Sequence, residues 1–406
     1  MSKKSIIKGK LFTSNFIFYW FARMSSAVAS QMIAVAVGWQ IYAITGSVFF
    51  LGLVGLAQFL PMFLLTLAVG QAADRYDRRT IIYISQVTQA IGIAVLAWGS
   101  FKGWLNKESI LAIVFIFGAA KSFEGPTMQA LLPGLVPKKV FTRATAMSAS
   151  SFQTAFIVGP ALGGLLYAAG AGVVYTVSGV LIFTAGVLIF LIRHVHKPEK
   201  HKTETLKSVF AGISFIRHKP QILGAISLDL FAVLLGGATA LLPAYARDIL
   251  KIGPIGLGIL RSAPAIGALL MSLFLSYRPL RNRVGRTMFI AVAIFGIGTI
   301  LFGISKSFIF SLCSLIVLGA ADVISMVVRH TLVQIKTPDN MRGRVSAVNS
   351  MFIGTSNQLG EFESGLTAAW FGVVPSVVIG GIGTLVVVAL WMLFFPDLRN
   401  TDKLEI

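Results

Sequence analysis

The chain reads as an all-α membrane protein, with twelve transmembrane helices arranged as two pseudo-symmetric six-helix bundles. Three observations predict this. Hydrophobic residues make up 56% of the 406 residues and charged residues only 12%, with a mean hydropathy of +0.82, more apolar surface than one or two soluble cores can hide. The apolar residues fall in stretches of about twenty, the length that crosses the hydrocarbon core as a helix. The basic residues are distributed almost entirely to one side of those stretches.

The predicted spans are 15–43, 48–70, 80–100, 109–133, 143–168, 172–193, 220–246, 255–277, 287–305, 308–335, 344–370 and 373–395. Ala27-Val28-Ala29 imitates a signal-peptidase site, but Arg23 interrupts the required apolar region and apolar sequence continues to Tyr42, so the first span is read as uncleaved. Of 35 Lys and Arg, 26 lie on the side of the N-terminus and five (Lys102, Lys107, Arg247, Lys251, Lys306) on the other; Arg23, Lys121, Arg261 and Arg329 lie within spans. That asymmetry predicts a multi-pass protein with both termini in the cytoplasm. It also explains the net charge of +20 as topology and attraction to anionic lipid headgroups, so no nucleic-acid partner is expected.

Between the sixth and seventh spans lies the only long polar connection, 196–218, in which Leu206, Val209, Phe210 and Ile213 recur at helical spacing. It is read as a linker carrying a short membrane-surface helix, dividing an N-terminal bundle, 1–195, from a C-terminal one, 219–406. The halves repeat. An offset of 201 aligns Pro137 with Pro338, Arg143 with Arg344, Ala146 with Ala347, Gly159 with Gly360 and Gly164 with Gly365; an offset of 206 aligns Gly52 with Gly258. Parallel repeats of this kind place a binding site between two bundles.

A charge at the bilayer centre costs at least about 2.5–3.5 kcal/mol, so each intramembrane charge needs a reason. The candidates for a substrate or proton pathway are Arg23, Lys121, Glu124, Asp229, Asp322, Glu361 and Glu363. Lys121 pairs with Asp322, and Arg23 with Asp229, under the repeat offsets. Lys121 and Glu124 at i and i+3 can also neutralise each other along one face, and static helix-locking bridges are the alternative for the whole set. Arg261 and Arg329 lie nearer helix ends, where snorkelling is expected. Glu361 and Glu363, two apart, are expected on different sides of their helix. A carboxylate whose distance to a cation changes can be neutral in one state and charged in another.

The segment Gly70-Gln71-Ala72-Ala73-Asp74-Arg75-Tyr76-Asp77-Arg78-Arg79 joins the second and third spans. It resembles the loop 2–3 signature of the major facilitator superfamily, Gly-x-x-x-Asp-Arg-x-Gly-Arg-Arg/Lys, with Asp77 in place of the usual glycine. Gly70 is expected to allow close helix approach, Asp74 to face a helix N-terminus, and Arg75, Arg78 and Arg79 to bridge carboxylates. The resemblance implies a latch closing a cytoplasmic gate. Gly159-Pro160-Ala161-Leu162-Gly163-Gly164 resembles the antiporter signature Gly-Pro-x-x-Gly-Gly, implying a kinked, tightly packed seal; Ala146 and Ala155 replace its upstream glycines. Gly38-Trp39-Gln40-Ile41-Tyr42, Leu51-Gly52-Leu53-Val54-Gly55, Ala130-Leu131-Leu132-Pro133, Gly253-Pro254-Ile255-Gly256-Leu257-Gly258 and Arg342-Gly343-Arg344-Val345-Ser346-Ala347-Val348-Asn349 are similar to the branch containing the enterobactin exporter and related drug:proton antiporters.

That resemblance covers nearly the whole chain. It implies alternating-access, proton-coupled export of an amphiphilic small molecule, a siderophore or drug, by a monomer in the bacterial inner membrane. It places the first, fourth, seventh and tenth helices around a central cavity, where Arg23 and Lys121 would suit an acidic cargo. A proton-coupled importer of a siderophore or nutrient is the near alternative, and a non-transporting membrane sensor the alternative of another class. No enzyme, cofactor or metal is called for: Cys313 is the single cysteine, and no metal-spaced His set, nucleophile elbow or phosphate loop occurs. With Cys313 replaced, a cysteine at either chain end or in 70–79 is expected to react with an impermeant thiol reagent only in opened cells; labelling in intact spheroplasts would refute the topology.

Overall fold

The computed structural model describes residues 11–193, 206–280 and 282–402. Outside the described residues lie Lys3, Lys4, Lys8, Lys10, the linker from 194 to 205, Arg281, Lys403 and the side chains of Asp74, Leu206 and Val209.

The first six long helices are α1 (Ser14–Thr45), α2 (Val48–Arg75), α3 (Arg78–Lys102), α4 (Lys107–Leu131), α5 (Phe141–Tyr167) and α6 (Ala171–Phe190). A short helix α7 (Leu206–Arg217) precedes α8 (Pro220–Leu235), α9 (Gly253–Tyr277), α10 (Val284–Ile304), α11 (Phe308–Lys336), α12 (Asp339–Phe371) and α13 (Val373–Phe394). Twelve long helices are thus present among the described residues, and eleven segments are both long and apolar enough to cross a membrane. The exception is α12, which has 33 residues but carries Asn349, Ser356 and Ser364, all buried against protein. Side chains buried against protein do not face lipid, so such a helix needs less apolar character to stay in the layer. By contrast, α6 and α13 are apolar on every side and leave Phe183, Phe190, Leu393 and Phe394 exposed, as helices bathed in acyl chains do.

The predicted span 220–246 is not one continuous helix. It breaks after Leu235 into a 3-10 turn (Ala238–Leu241), a short helix with Pro243 and a π turn (Tyr245–Ile249). Gly236-Gly237 and Pro243 are the cause: proline removes a backbone donor, and a Cβ at Gly237 would sit 2.5 Å from the Gly360 carbonyl. Elsewhere the turns follow local chemistry. Gly103, at φ 72°, caps α3, and Asn106 with Ser109 forms a reciprocal capping box at the start of α4.

The chain divides into two compact units, one from residues 1–40 and 60–203, the other from 41–59 and 204–406. The first has a core of Phe16, Tyr19, Ile82, Met128, Leu131 and Ile189. The second has one core around Leu228, Met288, Phe289, Val328 and Val388. Its other core joins α7 to the neighbouring helices through Ile216, Ile222, Val333, Val345 and Val348. The repeat is visible in geometry. Pro137 and Pro338 both precede helices with nearly the same extended backbone, φ −63° with ψ 147° and 153°. Gly159 of α5 seats against Val28 and Gln31 of α1, and its repeat mate Gly360 of α12 seats against Val233 and Leu234 of α8. Helix α5 thus crosses α1 as α12 crosses α8, each through a missing side chain.

Gly70 does not serve the expected close approach: a Cβ there would meet open space among the described residues. A very tight crossing joins α9 and α11, where Gly319 lies against the Pro264 carbonyl and Gly267 against the Ile316 carbonyl. Gly319→Val is therefore expected to destabilise by at least about 1–3 kcal/mol through overpacking, lowering the thermal midpoint of the purified protein, whereas Gly70→Ala leaves it unchanged. Equal midpoints for the two variants would contradict this packing.

Candidate functional site

In the first unit the 70–79 segment ties together helix ends. Asp77 ends the turn as the N-cap of α3, with φ −64° and ψ 121°, and accepts from Arg79 N. A negative φ suits any residue, so the missing glycine costs the turn nothing, and the carboxylate satisfies a first-turn donor that glycine could not. Arg79 bridges Asp77 at 2.6 Å and donates to the Ile192 carbonyl at 2.6 Å; Arg78 donates to the Ala130 carbonyl at 2.7 Å. Arg78 therefore joins the start of α3 to the end of α4, bonding a backbone oxygen where a carboxylate was expected. Arg75 is exposed at the end of α2.

The antiporter-like segment gains a definite neighbour. Gly159 and Gly163 lie against Val28, Gln31 and Met32 of α1, with Pro160 and Gly164 buried in the same stretch of α5. Arg23, also on α1, donates to Tyr19 Oη at 3.2 Å and places its guanidinium 5.3 Å from the Phe152 ring centroid on α5, a cation–π contact of about 0.5–2 kcal/mol depending on desolvation.

One turn from partly buried Lys121, Glu124 is only 7% exposed. Three neutral side chains hold its carboxylate. Ser26 Oγ donates at 2.6 Å and Gln86 Nε2 at 3.0 Å to Oε1, while Gln89 Nε2 donates at 2.7 Å to Oε2. The donors come from α1 and α3, so three helices meet at one acid.

In the second unit, Asp229 of α8 is ion-paired to Arg329 of α11, the two being 5% and 3% exposed. Arg329 was expected to snorkel; instead it is buried, because Asp229 offers a partner and lipid does not. Asp322, Ser325 and Arg329 are spaced i, i+3, i+7, one face of α11. Asp322 and Ser325 line a small cavity with Asp229, Ala232, Val233 and Phe295. Glu361 and Glu363 have different surroundings: the Glu361 charge acts on Arg261, and Glu363 accepts from Thr367 at 2.7 Å. Close by in sequence, Gly52 packs backbone to backbone on Gly365, and Gly55 on Gln358 and Glu361.

Sequence reasoning missed several participants. Ser26, Gln86 and Gln89 are polar residues inside apolar spans, and the i, i+3 spacing of the two glutamines was a readable signal. A further cluster joins the α1–α2 turn to the π turn: Tyr42 Oη donates to Asp248, and Arg247 donates to the Tyr42 carbonyl at 3.0 Å while lying over its ring. Nothing local in the sequence links residues some two hundred positions apart.

Removing one member of a buried ion pair leaves a bare charge and costs about 3–5 kcal/mol, whereas replacing both by neutral groups is often tolerated. Arg329→Met is thus expected to lower the thermal midpoint sharply, and Asp229→Asn with Arg329→Met to recover most of the loss; additive losses would show the pair is not energetically coupled.

Comparison with known proteins adds a family to this geometry. The family model described as transmembrane secretion effector matches residues 10–406. The enterobactin exporters EntS of Shigella boydii serotype 4 and of Escherichia coli strains are 27% identical over 387 residues, covering 93% of this chain and 91% of theirs. Among solved structures, a bacterial homologue of the human lysosomal transporter spinster, inward-facing and occupied, superposes with a TM-score of 0.74 at 13% identity, covering 94% of this chain and 95% of its own. The POT family transporter PepTSo gives 0.73 at 12% identity, covering 97% and 100%. At that identity these likenesses speak for the fold alone, and the fold is that of the major facilitator superfamily. The chain belongs to the transmembrane secretion effector family, within the major facilitator superfamily of transporters.

Proposed function

We propose that the protein is a proton-coupled exporter of an amphiphilic, acidic small molecule of the siderophore or drug type. It would act as a monomer in the bacterial inner membrane with both termini in the cytoplasm. The observation that carries this reading is near full-length similarity to the enterobactin exporters, joined to ionisable groups kept inside an otherwise apolar helical layer. Family membership makes it a secondary transporter that moves a solute without transforming it.

In this reading Arg23 and Lys121 supply positive charge to an anionic or catecholate cargo, and Glu124, Asp229, Asp322, Glu361 and Glu363 are the acids from which the proton site is drawn. The loop motif Gly70, Asp74, Arg75, Arg78 and Arg79 forms the inner gate, and the stretch Gly159, Pro160, Gly163 and Gly164 a seal against leak. A guanidinium or ammonium whose surroundings are largely apolar attracts an anion more strongly than one in water, because the local dielectric is lower. Neutral, purely apolar compounds would then be poorer substrates than acidic ones of equal size.

Proteoliposomes with an imposed pH gradient test the proposal. Enterobactin is expected to move against its own gradient in the direction opposite to proton flow, and Arg23→Gln to weaken transport about tenfold or more, the worth of one lost charge contact of about 1.4 kcal/mol. Movement of substrate in the same direction as the proton would overturn export in favour of uptake. Binding without any movement would favour a sensor.

A further inference from the structure

Resting on the proton-coupled reading above, the geometry points to Glu124 as the group that takes up and gives back the proton, with the cage of Ser26, Gln86 and Gln89 built to hold it in either state. Two observations carry this. The first is the nature of the cage. Asp229 is held by a guanidinium, so protonating it would strand a buried positive charge. Glu124 is held by a hydroxyl and two amides, each of which can present either an acceptor or a donor.

Every partner donates, which suits a carboxylate, and Gln86 Oε1 is buried with no hydrogen-bond partner. Rotation of that amide by half a turn exchanges its oxygen and nitrogen. A proton added to Glu124 Oε1 from water would then be donated to Gln86 Oε1, satisfying the orphaned acceptor. Release to water on the other side, with the amide turned back, restores the carboxylate. Only the Gln86 amide turns between the two protonation states, and no charged group is abandoned in either.

The second observation is mechanical. Glu124-Gly125-Pro126 lies within α4. Proline leaves the carbonyl four residues back without its helical donor, and a Cβ at Gly125 would meet open space. The acid therefore sits at a soft point of its helix, where a small bend carries it out of the cage towards water. The other charged or titratable groups of the surrounding helices have partners of their own or lie at helix ends, the latter including Tyr42 of α1, Lys107 and Glu108 of α4 and Tyr167 of α5. On α1, Arg23 is engaged with Tyr19 and Phe152, and Tyr19 itself donates to the Met128 carbonyl. Lys121 lies one turn back on α4. On α3, Tyr83 packs at a tilt against Phe190, and Arg78, Arg79 and Lys102 occupy the ends. Arg143 lies at the start of α5, and Tyr175 of α6 donates to Gln40.

Infrared difference spectra of the purified, reconstituted full chain, stepped between acid and alkaline buffer, report the carbonyl stretch of a protonated carboxylic acid directly. Wild type is expected to show that band. Glu124→Gln loses it, Asp229→Asn keeps it, and Gln86→Leu keeps it but moves the pH at which it appears. A band that survives in Glu124→Gln, or one that ignores Gln86→Leu, overturns the assignment. Gradient-driven enterobactin transport is measured beside it, with loss expected in Glu124→Gln. If wild type shows the band but ignores the gradient, the coupled-exporter reading fails and Glu124 stands as a proton-binding acid. If wild type follows the gradient and Glu124→Gln does so equally, the assignment alone fails.

Discussion

Inside a hydrocarbon layer no water is at hand to satisfy a polar group, so every charge the chain carries across must be met by another part of the chain. The architecture follows from the ways this is done. Asp229 and Arg329 meet as an ion pair, Arg23 rests on an aromatic face beside a phenol, and Glu124 collects three neutral donors. Each solution binds one helix to another that is distant in sequence. The polar groups are thus also the register marks of the packing, because a helix displaced by one turn would strand its charge at a cost of several kcal/mol.

Holding helices close enough for such contacts requires surfaces without bulk, and the repeat supplies them. Gly159 lets α5 approach α1 where Ser26 and Arg23 project, and Gly360 lets α12 approach α8 one or two turns from Asp229. Van der Waals contact replaces the hydrophobic drive that is missing between helices in lipid. Where the two halves differ is instructive: α4 and α11 occupy equivalent places in the repeat, yet one carries an acid held by a hydroxyl and two amides and the other a guanidinium paired with an acid of α8. Conserving the crossing while changing the residues allows two related bundles to take different chemical roles on one scaffold.

Most of the fold was legible because hydropathy and charge asymmetry are summed over twenty residues at a time, and sums of that length are robust to single substitutions. The twelve helices, the helix within the linker and the repeat of Pro137 with Pro338 all belong to this class. Pairings across a hundred residues do not. Arg329 looked peripheral when judged by distance from its helix end, and only the proximity of α8 makes it central. The Glu124 cage was half visible, since Gln86 and Gln89 share a helix face, but Ser26 joins it only through the approach of α1. The break after Leu235 had its markers in Gly236, Gly237 and Pro243; an uninterrupted hydropathy profile concealed them because hydropathy carries no information about backbone donors. Gly70 was the reverse case, a residue assigned a packing role from a pattern when its surroundings are open.

The contrast between the two buried acids bears on how a carrier of this kind can be both stable and convertible. An ion pair such as Asp229–Arg329 is held by strong mutual attraction and excludes a proton from the carboxylate as long as the guanidinium stays, so it resists change and suits a fixed brace. An acid held by hydroxyl and amide groups gains charge-assisted hydrogen bonds when ionised and ordinary ones when neutral, so the two states differ far less in free energy. A transport cycle that passes through both needs the second arrangement wherever the proton binds. It needs the first wherever the bundle must keep its shape while the proton comes and goes. Placing the convertible acid beside Gly125-Pro126, and the rigid pair between the intact turns of α8 and α11, matches chemical softness to mechanical softness.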